Sequence, residues 1–196
     1  MNMGNERIHL GQSVDDLASD KDSEDKKRMD KIRIYPDPIL MKKAKTIENI
    51  GGKIKDIADR MAKVMYANKG IGLAAPQIGI LSRILIVDLG DGRRVLINPE
   101  IVEGEGESLM EEGCLSLPTI EVPVKRMEKV FVKGRDLEGK EVSLELFGFP
   151  GRVYQHEIDH LNGILIIHHI SRLKRELLIK RMIKALKPPQ KKGSIL

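Results

Sequence analysis

The chain has 196 residues, 41% of them hydrophobic and 32% charged, a balance that suits one globular domain with extensions and needs no disulfide staples. No apolar run exceeds that of Ile164-Leu165-Ile166-Ile167, far short of the roughly 20 residues a membrane-spanning helix requires, so no membrane span is expected. The single cysteine, Cys114, excludes an intrachain disulfide, and a reducing cytoplasm is the expected home.

The net charge of +5 is unevenly spread: residues 1–30 carry five basic and eight acidic side chains, residues 171–196 nine basic and one acidic, and the stretch between is neutral. The acidic start has neither the basic-then-apolar order of a signal peptide nor the acid-poor composition of a transit peptide. We expect a charged, mobile extension over 1–30. The core domain is expected over 31–170, and a basic C-terminal helix and tail over 171–196.

Within the core, Tyr35-Pro36-Asp37-Pro38 marks an extended turn, since each proline disfavours helix at the residue before it. Apolar residues Ile54, Ile57, Ala58, Met61, Val64 and Met65 recur at helical spacing and predict an amphipathic helix over 53–68, ended before Gly70. Short β-rich runs separated by Gly, Asp and Pro predict strands over 84–88, 95–98, 130–133 and 142–146, with residues 136–140 as a hairpin loop. A second helix is expected over 151–162, with Gly163 as its left-handed cap. A third covers 172–187 and stops at Pro188-Pro189. Its second half sets Leu178, Ile179, Met182, Ile183 and Leu186 against Lys180, Arg181, Lys184 and Lys187. The expected fold class is α+β: short, mostly antiparallel strands around the helix over 151–162, with an amphipathic helix at the C-terminus.

That central helix contains His156-Glu157-Ile158-Asp159-His160. At i and i+4 its two imidazoles share one helix face and can reach one metal ion, while Glu157 can act as base on a water beside it. With five histidines in the whole chain, two at this spacing around a glutamate argue against coincidence; His168 and His169 read as surface residues. A catalytic site of this kind needs a third protein ligand. The metzincin pattern is excluded because its final position is Ile166 rather than histidine. Glu176 remains as a ligand of the thermolysin kind. Cys114 also remains, although a lone cysteine can equally be a small buried hydrophobe. Gly70 and Gly72 would permit unusual dihedrals and close approach of a peptide backbone.

Three segments carry a resemblance. Gly70-Ile71-Gly72-Leu73-Ala74-Ala75-Pro76-Gln77, Glu112-Gly113-Cys114-Leu115-Ser116 and Gln155-His156-Glu157-Ile158-Asp159-His160-Leu161-Asn162-Gly163 resemble, in order, the signature motifs of peptide deformylases. The resemblance implies metal-dependent hydrolysis of the N-formyl group from formyl-methionyl nascent peptides, releasing formate. It implies one divalent metal held by Cys114, His156 and His160, with Fe2+ preferred and Zn2+, Ni2+ or Co2+ found in some members. Glu157 would be the general base, with the Gln77 side-chain amide and the Leu115 backbone N–H as oxyanion donors. Gly70, Ile71 and Gly72 would bind peptide as an added strand, and Ile71 would line the methionine pocket. Gln155 and Asp159 flank the histidines and are expected to orient them, with a solvated helix residue as the alternative for Asp159, and the resemblance implies that the basic helix contacts the ribosome. Three positions depart from the family pattern: Thr119-Ile120-Glu121 is short and acidic, His168 stands where an aspartate is expected, and Phe149-Pro150-Gly151 puts an unusual Pro-Gly pair before the metal helix. A thermolysin-like protease using Glu176 and a non-catalytic ribosome-binding module are the competing readings.

Overall fold

Residues 31–186 are described in the computed structural model; the extension expected over 1–30 and the end of the tail over 187–196 lie outside the described residues. Helix α1 (Gly52–Ala67) comes first, followed by strands β1 (Gly72–Ala74), β2 (Ile84–Val87), β3 (Arg94–Glu105), β4 (Ser108–Gly113), β5 (Glu121–Arg126), β6 (Lys129–Arg135) and β7 (Glu141–Phe147). Helices α2 (Gly148–Leu161) and α3 (Arg172–Leu186) close the described chain, with short 3-10 turns at Pro38–Met41, Ala75–Ile78 and Ile166–His169. Five strands pair in the order β1-β2-β3-β6-β7, β4 and β5 form a separate ribbon, and every strand pairing is antiparallel. This is the expected α+β class.

The sheet is covered on both faces, which explains the uninterrupted apolar run of β2. Its residues Leu85 and Val87 pack with Val153, Tyr154, Ile158 and Leu161 of α2, whereas Ile84 and Ile86 pack with Met61, Ala62 and Met65 of α1. Alternate side chains of a strand point to opposite faces, so a run apolar at every position buries both. A third cluster joins Leu117, Ile120, Val122 and Val124 to Leu165, Ile166, Ile167 and Met182, which seats the ribbon against the C-terminal elements. The helix carrying the histidines therefore lies between the sheet and the ribbon.

Three features differ from the sequence expectation. Strands β1, β4 and β5 were not expected, because β1 has three residues and Ser108-Leu109-Met110-Glu111-Glu112-Gly113 shows little apolar alternation; their pairing is decided by tertiary contacts. Helix α2 begins at Gly148, so Phe149-Pro150-Gly151 lies inside its first turn, where proline's missing N–H costs nothing. Gly151 is required there by close packing, since a Cβ would sit 3.1 Å from the Leu146 carbonyl oxygen. In α3 the packed face is Leu178, Ile179 and Met182 only; Ile183 and Leu186 are exposed, as are Leu173 and Leu177 at the opposite side. The β6–β7 hairpin matches the expected loop. There Asp136 Oδ1 accepts the Glu138 and Lys140 amides, and Gly139 adopts φ +80.

Candidate metal centre

Helix α2 presents His156 and Glu157 toward a cleft of about 500 Å³ between β1 and the β4–β5 ribbon, with His160 buried one turn further on. Cys114 enters from the turn directly after β4, a turn closed by the Leu117 amide donating to the Cys114 carbonyl at 2.9 Å. The Cys114 Sγ lies 3.2 Å from His160 Nε2, and donor atoms of Cys114, His156 and His160 all fall within 4.8 Å of one another. A tetrahedral ion with bonds of about 2.0–2.3 Å holds its ligands roughly 3.3–3.8 Å apart, so this cluster can share one ion after small side-chain shifts. One thiolate and two imidazoles is a donor set that binds divalent transition metals.

The electrostatics prepare these groups. Glu112, 7% exposed, accepts from His156 Nδ1 at 2.9 Å. An ionised carboxylate can only accept, so Nδ1 carries a proton and Nε2 is the nitrogen left for the cleft, able to serve as a ligand once its own proton is displaced. Arg126 grips the same carboxylate with two bonds of 3.0 Å, and Arg152 adds a third of 2.6 Å. Burial opposes the charge on Glu112, yet His156 and Arg126 hold its carboxyl far below the usual range. Burial also depresses the pKa of His160, reinforced by the charges of His156 and Arg126, and keeps its imidazole neutral. For His156, burial is outweighed by Cys114 and Glu112, which pull its pKa well above the ordinary value.

Glu157 is the outlier among the carboxylates. It is 4% exposed, its Oε2 has no partner among the described residues, and burial raises its pKa to about 7. It lies against β1, because a Cβ built on Gly72 would come within 2.5 Å of its Oε1. Gln77, in the 3-10 turn after β1, is 2% exposed. Its Oε1 accepts the Ala74 amide at 2.8 Å, and its Nε2 faces Ser116 Oγ at 3.3 Å and Cys114 Sγ at 3.8 Å. The adjacent Leu115 N–H meets no acceptor among the described residues.

Of the residues singled out in the sequence, Gly70, Ile71, Gly72, Gln77, Cys114, Leu115, His156 and Glu157 line this one cleft, and His160 joins through Cys114. The glycines act by close approach rather than by dihedral angle. Neither has a positive φ, which falls instead on Lys69 at φ 55, while a Cβ on Gly70 would meet Leu115 Cδ1 at 2.9 Å. Gln155 touches no ligand side chain: it holds the Met127 backbone through bonds of 3.0 and 2.9 Å. Asp159 accepts from Arg126 at 2.5 Å and from His169 at 2.8 Å, and so braces the charge network. His168 Nδ1 accepts the Leu165 amide, a capping bond that an aspartate at this position could also make. Glu176 is paired with Arg172 on the exposed side of α3 and is not in the cluster. Glu112, Arg126, Arg152 and Ser116 went unrecognised in the sequence as parts of the site, and the only signal was that Glu112 and Ser116 flank Cys114.

The sequence profile of the family described as Polypeptide deformylase matches residues 29–176. A peptide deformylase of Thermodesulfovibrio yellowstonii is 52% identical over 155 residues, which span 76% of this chain and 94% of that protein. One from Thermotoga neapolitana is 46% identical over 156 residues, 79% of this chain and 95% of that protein. Among solved structures, the chain is similar to a peptide deformylase from Legionella pneumophila (TM-score 0.75, 39% identity, 80% of this chain and 98% of that one). It is also similar to the Ehrlichia chaffeensis enzyme in complex with actinonin (TM-score 0.78, 32% identity, 81% and 98%).

Proposed function

The chain belongs to the peptide deformylase family and is a metal-dependent hydrolase that removes the N-formyl group from newly synthesised polypeptides; from this premise we propose the part that each residue plays. Cys114, His156 and His160 hold the ion, Glu157 is the general base and then the general acid, and Gln77 and Leu115 donate to the oxyanion. The observation that carries this reading is the cluster of one thiol and two imidazoles beside a buried carboxylate with an unpartnered oxygen.

When bound, the cation supplies Lewis acidity that acidifies a water and polarises the formyl carbonyl. Glu157 takes the proton from water as attack on the formyl carbon begins, and a base with a pKa near 7 is well matched to that task. The Gln77 amide and the Leu115 N–H stabilise the negative oxygen that develops. Glu157 then returns the proton to the departing methionyl nitrogen, and formate leaves. Among the described residues strand β1 has one sheet neighbour, so its other edge beside Gly70, Ile71 and Gly72 can pair with an extended peptide, with Ile71, Phe149 and Val153 offering apolar surface to methionine.

Ferrous iron is the ion we assign by family resemblance, since thiolate and imidazole ligation accepts Zn2+, Ni2+ or Co2+ as well. We further propose that residues 1–30, 31–170 and 171–196 are an extension, the catalytic domain and a basic tail, and that the enzyme works in the cytoplasm, where a thiol ligand stays reduced. The exposed Lys174, Lys180, Arg181 and Lys184 of α3 suit phosphate contacts on the ribosome. No helix of the described residues is long and apolar enough to cross a membrane.

The test is formate release from formyl-Met-Ala-Ser by protein loaded anaerobically with ferrous iron, beside a Glu157→Gln control. Release by the wild type alone supports the assigned base; equal release by the variant refutes it. Loss of salt-sensitive co-sedimentation with ribosomes on reversing the charges of Lys180, Arg181 and Lys184 would support the docking role, and unchanged co-sedimentation would remove it.

A further inference from the structure

We propose that Ser116 is a positioning residue for the hydrolysis, acting through Gln77; the proposal rests on the reading of Gln77 as an oxyanion donor. Ser116 is fully buried, and its Oγ lies 3.3 Å from Gln77 Nε2. The orientation of the Gln77 amide is fixed, because its other end accepts a backbone N–H from Ala74 at 2.8 Å and only the carbonyl oxygen can accept. The NH2 group must therefore face Ser116 and Cys114. With one of its two hydrogens engaged by Ser116 Oγ, the second is left to Cys114 Sγ, a long 3.8 Å contact at the cleft, from which an oxyanion formed there could take it. Without that acceptor only the Ala74 bond holds the amide, which can then rock about its terminal torsion and misaim the N–H that the oxyanion needs.

Both residues are also held in register by one backbone segment. The Arg33 amide donates to the Gln77 carbonyl at 2.7 Å, and the Tyr35 amide donates to the Ser116 carbonyl at 3.0 Å. Alternate amides of an extended stretch point the same way, so this strap fixes the spacing between the two loops that carry the pair. The chain thus devotes a buried hydroxyl and two main-chain bonds to the aim of one side chain.

The test is a double-mutant cycle on metal-loaded full-length protein, with kcat and KM for formyl-Met-Ala-Ser and metal content measured for Ser116→Ala, Gln77→Ala and the double variant. Ser116→Ala is expected to lower kcat about tenfold, less than the roughly 10²- to 10³-fold typical of deleting an oxyanion donor outright, with KM and metal content unchanged. In the Gln77→Ala background it is expected to add nothing. An unchanged kcat in Ser116→Ala, a loss confined to KM, or the same factor in both backgrounds overturns the proposal. If Gln77→Ala keeps full kcat, the reading of Gln77 itself falls and takes the proposal with it; if only Ser116→Ala is silent, the proposal alone falls. Where Ser116→Ala does not fold, NMR of the zinc-loaded wild type decides. One Gln77 side-chain amide proton is expected to exchange much more slowly than the other, and equal exchange overturns the proposal.

Discussion

Gly72→Ala tests how the catalytic carboxylate is held. Gly72 sits in β1 paired with Val87 and has no positive φ, so alanine meets no backbone strain there. Its Cβ would instead lie 2.5 Å from Glu157 Oε1, 3.0 Å from Cδ and 3.1 Å from Cγ. An ordinary contact needs about 3.4 Å, so the carboxylate must withdraw by roughly 1 Å, a misplacement that can cost about 10²-fold in rate. Overpacking of this kind destabilises by roughly 1–3 kcal/mol, less here because the displaced group is a side-chain end whose Oε2 makes no hydrogen bond. We therefore expect kcat for formate release to fall about 100-fold while metal content and the melting temperature change little. Gly70→Ala is the comparison: its Cβ would press at 2.9 Å only on Leu115 Cδ1, a flexible side-chain end, with Met65 Cγ and the Met65 carbonyl oxygen at 3.3 and 3.4 Å, and the loss should be smaller. A Gly72→Ala enzyme with wild-type kcat and full metal would refute the placement of Glu157 against β1.

Further expectations concern charge and ligation. In metal-free protein the Glu157 carboxyl should titrate near pH 7, followed by its side-chain ¹³C shift; a midpoint near 4.5 would show that burial does not govern it. Because this folded-state pKa lies above the unfolded one, the folded form holds the extra proton, and its contribution to the stability of metal-free protein should diminish as pH rises from about 4.5 to 7. Glu112→Gln removes the charge that two buried arginines and His156 share. It should cost about 3–5 kcal/mol in denaturant unfolding and weaken metal binding about 10- to 100-fold by competition with a chelator. Cys114→Ala should lose the metal, whereas Glu176→Ala should keep it, both read by metal analysis; the reverse result would restore the thermolysin-like arrangement.

The sequence by itself determined the parts whose physics is local. Helical spacing puts His156 and His160 on one face of α2, apolar periodicity outlines α1, and Gly163 at φ +74 ends the metal helix as its position implies. Chain-order motifs were enough to identify the family, since each motif is a contiguous run of residues. Tertiary structure decided what depends on distant pairing. Strand β4 is a largely exposed ribbon strand with weak alternation and β5 is six residues with a proline inside, yet their pairing is what carries Cys114 to His160. The glycines of the first motif look like sites of backbone freedom, but Gly72 is needed for the volume that Glu157 occupies. Nothing in the sequence marks Glu112, Arg126 and Arg152 as one buried group, because charged side chains are seldom buried. Only the fold brings the three together and buries them behind His156, where mutual neutralisation offsets the cost of leaving water and fixes which imidazole nitrogen faces the cleft.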